Sequence, residues 1–186
     1  MCVVVLRPAL RHGKHVAPTY QRRDTHWNDF GAWLAYCEIM SAAQPYVPSV
    51  QPLSPDQFSL VVRRRPGGDL AKMLALQGVL TEQNVELEFR RVLDLPKERV
   101  WQYGFDPVPL GDGPDQPRMV LFRDSFASFF LPYRAEHFAG VGLWPYGFDD
   151  GVVRRQRPAV VLDELVERRL MSAPPVNPPE LRRRPE

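Results

Sequence analysis

Cysteine and long apolar runs are both scarce in this 186-residue sequence. The two cysteines, Cys2 and Cys37, are too few for a disulfide framework or for a zinc site with four closely spaced ligands. No apolar run approaches the roughly 18 residues of a membrane-spanning helix. The opening MCVVVLRPAL is too short for a signal peptide and lacks a small-residue cleavage site. Taken alone, these features predict a soluble protein, which would be cytoplasmic if the chain is complete.

An excess of one charge is also absent. The chain has 24 basic and 22 acidic residues, and its formal net charge of +2 does not by itself indicate nucleic acid or a membrane surface as a partner. Hydrophobic residues make up 44% and charged residues 25%, which is ordinary for a globular protein. We expect one domain over residues 1–171, followed by a disordered Pro- and Arg-rich tail over residues 172–186.

The first two thirds of the chain contain several predicted elements. The best defined is a helix that begins after Asn28, an N-cap residue, because apolar residues recur at helical spacing until Pro45. The other predicted elements are a buried strand over Cys2–Leu6, a strand over Phe58–Arg65, a short helix capped by Asp69 and ending near Gly78, a strand over Val85–Val92, and a loop over Pro96–Pro117.

The last third alternates strands and helices with short links. The predicted order is a strand over Arg118–Arg123, a helix over Ser125–Phe138, a strand over Val141–Trp144, a short helix over Phe148–Gln156, and a strand over Pro158–Leu165. This alternation is typical of crossovers in a parallel sheet, so the sequence predicts an α/β protein.

Ser125 stands at the junction from strand to helix in LFRDSFASFF. Open α/β sheets usually build their sites outside the carboxyl ends of parallel strands, and a serine here would present its hydroxyl there. If Ser125 starts the helix, its own backbone N–H is an unpaired first-turn donor that can face an anion. Ser125 is therefore a candidate nucleophile with part of an oxyanion hole beside it.

A serine nucleophile needs a base, usually a histidine held by a carboxylate. Asp24 and His26 can form that pair, because residues two apart in an extended segment project to the same side. Asp24 would bind one imidazole nitrogen and leave the other facing outward. The three residues are thus consistent with a Ser-His-Asp arrangement.

Structural roles for these and other residues stay open at this point. Asp24 and Ser125 are both good helix-cap residues. His12 and His15 could offer two metal ligands, but no third ligand is nearby in the sequence. His137, near the end of a predicted helix, is expected to interact with the helix dipole rather than with substrate.

Four segments of the chain occur in an order that is known from one family. They are YQRRDTHWNDFGAWLAYCEIM, GGDLAKML, MVLFRDSFASFFLPYRAEHF and RPAVVLDELVERRL, within residues 15–170. Together they resemble the alginate O-acetyltransferase AlgX/AlgJ-like proteins. The resemblance implies an SGNH-hydrolase-like (flavodoxin-like) three-layer sandwich with a mostly parallel sheet. It also implies a permuted order, in which the Asp-x-His block precedes the Ser block.

The same resemblance implies roles for the candidate residues. Ser125 would be the nucleophile, His26 the general base and Asp24 its orienting partner, with no metal and no cofactor. Asp124, which matches the Asp of the SGNH Gly-Asp-Ser motif, would hold the turn rather than react. Arg123 stands where that motif has Gly, as it does in these acetyltransferase-like proteins. Arg123, Asp124 and Asn28 are expected to bind substrate or to support the site.

A second oxyanion donor is not identified by the resemblance. SGNH hydrolases use an Asn for this purpose, and Asn28 and Asn84 are the candidates here. Members of the family usually carry an N-terminal membrane or export segment and further domain sequence, so we expect this chain to lack its N-terminal part.

The predicted function is O-acetyl transfer to hydroxyls of a secreted polysaccharide through an acetyl-serine. The family implies that a membrane-bound O-acyltransferase supplies the acetyl group and that the protein works in the periplasm or outside the cytoplasm. A carbohydrate acetylesterase of the same fold and a catalytically silent scaffold or binding protein are the alternatives, because the triad alone does not select the acceptor.

Overall fold

The computed structural model describes residues 2–90, 108–111, 113, 115–143 and 148–170, which form six α-helices and six β-strands. The helices are α1 (Arg7–Gly13), α2 (Asp29–Ala43), α3 (Asp69–Met73), α4 (Leu131–Ala135), α5 (Asp150–Gln156) and α6 (Glu167–Leu170). The strands are β1 (Phe58–Pro66), β2 (Thr81–Phe89), β3 (Val108–Gly111), β4 (Arg118–Phe122), β5 (Ala139–Leu143) and β6 (Val160–Asp163).

The four-stranded sheet has the order β3-β5-β4-β6. Strands β4, β5 and β6 are parallel, as the alternation of elements predicts, whereas β3 is antiparallel to β5. Gly140 has φ +133°, and a Cβ at this position would lie 2.0 Å from the carbonyl oxygen of Met119. A glycine is therefore required for β5 to pair with β4 at this point.

The other sheet is an antiparallel hairpin of β1 and β2, with Phe58 opposite Phe89 and Pro66 opposite Thr81. Charged pairs cover its exposed side, since Arg65 donates to Glu86 at 2.6 Å and Arg63 to Glu88 at 2.9 Å. Leu87 and Phe89 pack against the core on the other side. The hairpin is thus attached to the domain through its apolar side chains.

Helix α2 lies in the core, as its apolar spacing predicts. Asn28 is its N-cap, with the side-chain oxygen accepting from the Gly31 N–H at 2.9 Å. Tyr36 and Met40 are fully buried, and the same core includes Met119 of β4 and Phe130. The helix that follows the Asp-x-His segment and the strand that precedes Ser125 therefore belong to the same core.

The predicted strand over Cys2–Leu6 is wrong. These residues form no regular structure, and Val3 and Val5 are exposed. Pro8 lies in the first turn of α1, where a fixed φ and a missing N–H suit the start of a helix.

Several other predicted boundaries also differ. Part of the predicted loop over Pro96–Pro117 is the edge strand β3, where the proline at position 109 is tolerated because edge strands leave donors unused. The predicted helix over Ser125–Phe138 divides into a 3₁₀ helix, Phe126–Phe129, and α4, since Pro132 cannot continue a helix from the preceding turn.

The region around α3 shows further differences. Gly68, rather than Asp69, occupies the N-cap position, and the helix ends at Met73, well before Gly78. Ala75 has φ +56°, which is incompatible with continuing the helix. Strand β2 begins at Thr81, four residues before its predicted start.

The described helices include none with the length and apolar character needed to cross a bilayer. The predicted tail over residues 172–186 lies outside the described residues.

Candidate active site

The Asp-x-His segment forms a bend between α1 and α2. Its two ends are joined by backbone hydrogen bonds from Asn28 N–H to Thr19 O at 3.2 Å and from Gln21 N–H to His26 O at 3.3 Å. Asp24 accepts the backbone N–H of His26 at 2.9 Å, which is an Asx turn. The backbone is therefore bent rather than extended, and this turn brings the two side chains together.

Asp24 is held as an ionised acceptor. Its Oδ1 lies 2.6 Å from Nδ1 of His26, and its Oδ2 accepts the Asp69 N–H at 3.0 Å. Burial by itself would raise the pKa of Asp24, but the hydrogen bonds from His26 and Asp69 outweigh it, so the pKa lies below its usual range. Because the carboxylate only accepts, the proton between it and the imidazole belongs to Nδ1.

The other imidazole nitrogen faces the serine. His26 Nε2 is 2.7 Å from Ser125 Oγ, across 99 positions of sequence. With the proton on Nδ1, Nε2 is the acceptor and the Ser125 hydroxyl is the donor. The structure thus brings Asp24, His26 and Ser125 into one hydrogen-bonded chain with the polarity that proton removal from serine requires.

Ser125 follows the carboxyl end of β4, the strand between β5 and β6. It stands at the N-cap of the 3₁₀ helix, but its hydroxyl makes no capping bond. Every residue from 119 to 131 is buried except Ser125, which is partly exposed. Within this segment, only Ser125 is appreciably accessible to solvent, and its hydroxyl faces the imidazole of His26.

Aromatic residues fix the relative positions of the two segments. The Phe126 ring lies 4.8 Å and the Phe129 ring 5.6 Å from the His26 ring, measured between centroids. Trp27 is 3% exposed and donates from Nε1 to the carbonyl of Phe126 at 3.0 Å. Trp27 is a core residue that joins the base to the nucleophile turn.

Asp124 holds the turn on which Ser125 stands. Its Oδ1 accepts the Phe126 N–H and its Oδ2 accepts the Val166 N–H, both at 2.8 Å. The Asp124 N–H in turn donates to Glu164 Oε2 at 3.0 Å. The Asp124 carboxylate is thus occupied by backbone donors, which agrees with the expected structural role.

A buried charge cluster lies behind this turn. Arg123 is 2% exposed and donates to Ser128 Oγ at 2.8 Å, so it points into the protein and supports the turn instead of reaching a substrate. Burial lowers the pKa of Arg134, and burial together with the nearby Asp124 raises the pKa of Glu164 to about 8. Arginine still stays protonated at neutral pH, so Arg134 supplies positive charge near these acids.

The hydrogen bonds of Asn28 do not place it as an oxyanion donor, and among the described residues no contact of Asn84 with the site is shown. The side chain of Asn28 is 1% exposed, caps α2, and donates to Pro18 O at 2.7 Å. Asn84 lies on β2 opposite Arg63 and is 7% exposed. Asn28 supports the site through the start of α2, and the expectation that it binds the oxyanion is wrong for this reason.

Sequence reasoning missed three acids near the site. Asp69 accepts from the backbone N–H of Thr25 at 2.7 Å and also from its hydroxyl. Glu82, 3% exposed, accepts the N–H groups of Arg22 and Arg23 at 2.6 and 3.1 Å. Glu164 was detectable, because an acid directly after a parallel strand lies at the same sheet edge as Asp124, whereas the others need the tertiary fold.

Asp24, His26 and Asp69 also form a possible ligand group for a metal. Their ligand atoms lie within 4.8 Å of one another. Both carboxylates accept backbone N–H groups, from His26 and Asp69 to Asp24 and from Thr25 to Asp69. A bound metal would have to compete with these bonds, whereas the hydrogen-bonded chain to Ser125 uses the same atoms without displacing any of them.

A family model matches the first half of the chain. The SGNH hydrolase-like domain model of the acetyltransferase AlgX matches residues 2–100, which include Asp24, His26 and Asp69. The chain belongs to this AlgX acetyltransferase family. The match ends before Ser125, so the serine is assigned to the site by its distance from His26. No curated protein sequence matches the chain.

Solved structures support the SGNH hydrolase-like fold of this family member. Bacillus cereus PatB1 with a sulfonyl adduct aligns with a TM-score of 0.57 at 13% identity, over 86% of this chain and 66% of that one. A DHHW family protein from Eubacterium siraeum aligns with a TM-score of 0.59 at 14% identity, over 86% and 62%. A weaker similarity, which does not bear on the fold, is to the O-acetyltransferase domain of Pseudomonas putida AlgJ, with a TM-score of 0.48 at 18% identity, over 86% and 57%. The chain thus spans at most two thirds of the length of these structures.

Proposed function

We propose that this protein is an O-acetyltransferase that uses Ser125 as a nucleophile. The observation that carries the proposal is the hydrogen-bonded chain from Asp24 through His26 to Ser125. Its occurrence in a member of an acetyltransferase family favours acetyl groups as the cargo.

In the first half-reaction, His26 Nε2 takes the hydroxyl proton while Ser125 Oγ attacks the carbonyl carbon of an acetyl donor. The leaving group departs with the proton from His26, and acetyl-Ser125 remains. In the second half-reaction, His26 removes the proton of an acceptor hydroxyl, whose oxygen attacks the acetyl carbon. The bond from that carbon to Ser125 Oγ then breaks, and His26 returns the proton to Ser125 Oγ. Asp24 stabilises the imidazolium that forms in each half.

The backbone N–H of Ser125 is our candidate for binding the oxyanion. None of the described residues accepts a hydrogen bond from it, whereas the next N–H, of Phe126, is bound by Asp124. A preorganised donor of this kind is worth roughly 3 to 4 kcal/mol in acyl transfer.

The acceptor in this proposal is a hydroxyl of a secreted polysaccharide. A membrane-bound O-acyltransferase would supply acetyl groups, and the reaction would take place in the periplasm or elsewhere outside the cytoplasm. We further propose the three-layer sandwich with permuted block order, a domain boundary at residue 171, and no requirement for a metal or cofactor.

Substitution of the nucleophile or the base tests the mechanism. With 4-nitrophenyl acetate as the donor, Ser125→Ala and His26→Ala should each lower the rate by at least about 10²- to 10⁴-fold, because both act in the same proton transfer. Their melting temperatures should stay close to that of the unchanged protein. Mass spectrometry should find one acetyl group on Ser125, and a Ser125→Ala variant with full activity would exclude the mechanism.

Two further measurements complete this test. PatB1 has been solved with a sulfonyl adduct, and an aryl sulfonyl fluoride should likewise modify this chain, at Ser125. Ser41→Ala is the matched control, because Ser41 is an exposed serine of α2 that no histidine is shown to activate. Adding an oligosaccharide then separates transfer from hydrolysis: acetylated sugar supports the proposal, and release of acetate alone indicates an esterase.

A further inference from the structure

We propose that Asp69 is a second carboxylate for the imidazole of His26, a positioning residue that acts beside Asp24. The inference rests on the proposed function, in which His26 becomes positively charged during the reaction. Asp69 Oδ2 lies 3.8 Å from His26 Nδ1, the nitrogen that already contacts Asp24. A movement of about 1 Å would bring this oxygen to hydrogen-bonding distance.

Reciprocal hydrogen bonds keep Asp69 at this place. Its backbone N–H donates to Asp24 Oδ2 at 3.0 Å, while its carboxylate accepts from the N–H and the hydroxyl of Thr25. Asp69 thus donates a hydrogen bond to Asp24 and accepts hydrogen bonds from Thr25, so it is linked to the Asp-x-His segment as both donor and acceptor. A change in the position of Asp69 changes the position of the base.

Asp69 is partly exposed to solvent, whereas the imidazole on which its charge acts is largely buried. The side chain of Asp69 is 29% exposed, whereas those of His26 and Asp24 are 8% and 12% exposed. The imidazole is thus largely removed from solvent, and two carboxylates lie on its Nδ1 side. Both stabilise the charge that appears when Nε2 takes the serine proton.

Asp69→Asn is the isosteric test. The amide oxygen can still accept the Thr25 N–H, and the amide NH₂ can donate to the Thr25 hydroxyl, so both Thr25 contacts are retained while the charge is lost. Thr25→Val is the matched control, because it removes the hydroxyl contact but leaves the carboxylate in place. Asp24→Ala removes the first carboxylate and leaves Asp69 as the remaining one.

Nitrogen-15 NMR of histidine-labelled protein reports which imidazole nitrogen carries the proton, independently of activity. We expect His26 to keep its proton on Nδ1 in Asp24→Ala and to lose that preference in Asp24→Ala/Asp69→Asn. In the otherwise unchanged chain, Asp69→Asn should shift the Nδ1 proton resonance, and Thr25→Val should shift it less. The inference would be overturned if His26 had the same tautomer in Asp24→Ala and in Asp24→Ala/Asp69→Asn. It would also be overturned if Asp69→Asn and Thr25→Val shifted the Nδ1 proton resonance equally.

Kinetics with 4-nitrophenyl acetate give the second readout. Loss of the orienting carboxylate typically lowers kcat by about 10⁴-fold in serine enzymes of this type, and we expect Asp24→Ala alone to lose clearly less. Asp69→Asn should cost less than about tenfold by itself, since the charge is partly exposed, but more in the Asp24→Ala background. An equal or smaller cost in that background would indicate a structural role only.

The two proposals can fail separately. If Ser125→Ala abolishes activity while Asp69→Asn has the same cost in both backgrounds, the role of Asp69 is wrong and the acetyl-serine mechanism stands. If the protein never acetylates Ser125 but the tautomer depends on both acids, the proposed function is wrong and the positioning of His26 by Asp69 stands.

Discussion

At the scale of residues, the geometry of the site depends on carboxylates whose oxygens are already engaged in hydrogen bonds. Asp24 accepts from the backbone and the ring of His26 and from the backbone of Asp69. Such an arrangement tolerates little displacement, because moving one donor disturbs the others. Gly68, next to Asp69, is the residue that permits this close approach.

Gly68→Ala should lower activity strongly. A Cβ at this position would lie 1.9 Å from Asp24 Oδ2 and 2.4 Å from Asp24 Cβ, so Asp24 or the backbone must move. A displacement of about 1 Å at a catalytic group can cost about 10²-fold in rate. The control is Gly78→Ala, where no atom lies within 4 Å of the added carbon. Esterase rates for both variants check the prediction, and a Gly68→Ala variant as active as the unchanged protein would contradict it.

At the scale of elements, the nucleophile turn is held by the ends of two neighbouring parallel strands. Three hydrogen bonds join the segment after β4 to the segment after β6: from Asp124 N–H to Glu164, from Val166 N–H to Asp124, and from Glu164 N–H to Phe122 O. The register of β4 against β6 therefore determines where Ser125 lies. Glu164, a buried acid, takes part in two of these hydrogen bonds.

Glu164 should make stability depend on pH. Burial raises its pKa to about 8, while in the unfolded chain a Glu ionises near pH 4.3. Between these values the unfolded state binds fewer protons, so the free energy of unfolding falls as pH rises. Glu164→Gln keeps an acceptor for the Asp124 N–H and removes the titration, so we expect a flatter dependence from about pH 5 to 8. Urea unfolding at several pH values measures this, with the exposed Glu38→Gln as the control that should keep the slope.

At the scale of the whole molecule, Tyr36 joins three distant parts of the chain. From helix α2 its hydroxyl accepts the Leu53 N–H at 2.9 Å and lies 2.5 Å from Nε2 of His137, after α4. His137 therefore has a specific partner in Tyr36, and its predicted interaction with a helix dipole stays a prediction. Burial raises the pKa of Tyr36, so the phenol stays neutral.

Tyr36→Phe should destabilise the fold without touching the site. The Leu53 N–H would lose its buried acceptor and His137 its hydrogen bond to the Tyr36 hydroxyl, which costs about 1 to 3 kcal/mol. Thermal or urea unfolding checks this against Tyr46→Phe, in which the ring is 72% exposed and little change is expected. Equal stability of the two variants would show that the Tyr36 hydroxyl is not structurally important.

Much of the fold was predictable because it depends on local signals. The helix after Asn28, the strand at Phe58 and the parallel strands of the last third follow from caps and periodicity. The expected strand at Cys2–Leu6 failed because an apolar run is a local signal that does not determine pairing, and these residues form no regular structure, with Val3 and Val5 exposed. Pro132 was a signal in the sequence that the helix after Ser125 divides, but the packing of the two parts could not be predicted from it.

The sequence by itself determined the types of groups at the site: an acid and an imidazole two positions apart, and a serine after a strand. Only the tertiary structure decided that His26 meets Ser125 across 99 positions and that Asp69 reaches Thr25 across 44. The physical reason is that such contacts are set by the packing of α2, α3 and β4 and by burial of their polar groups. Local propensity carries no information about either.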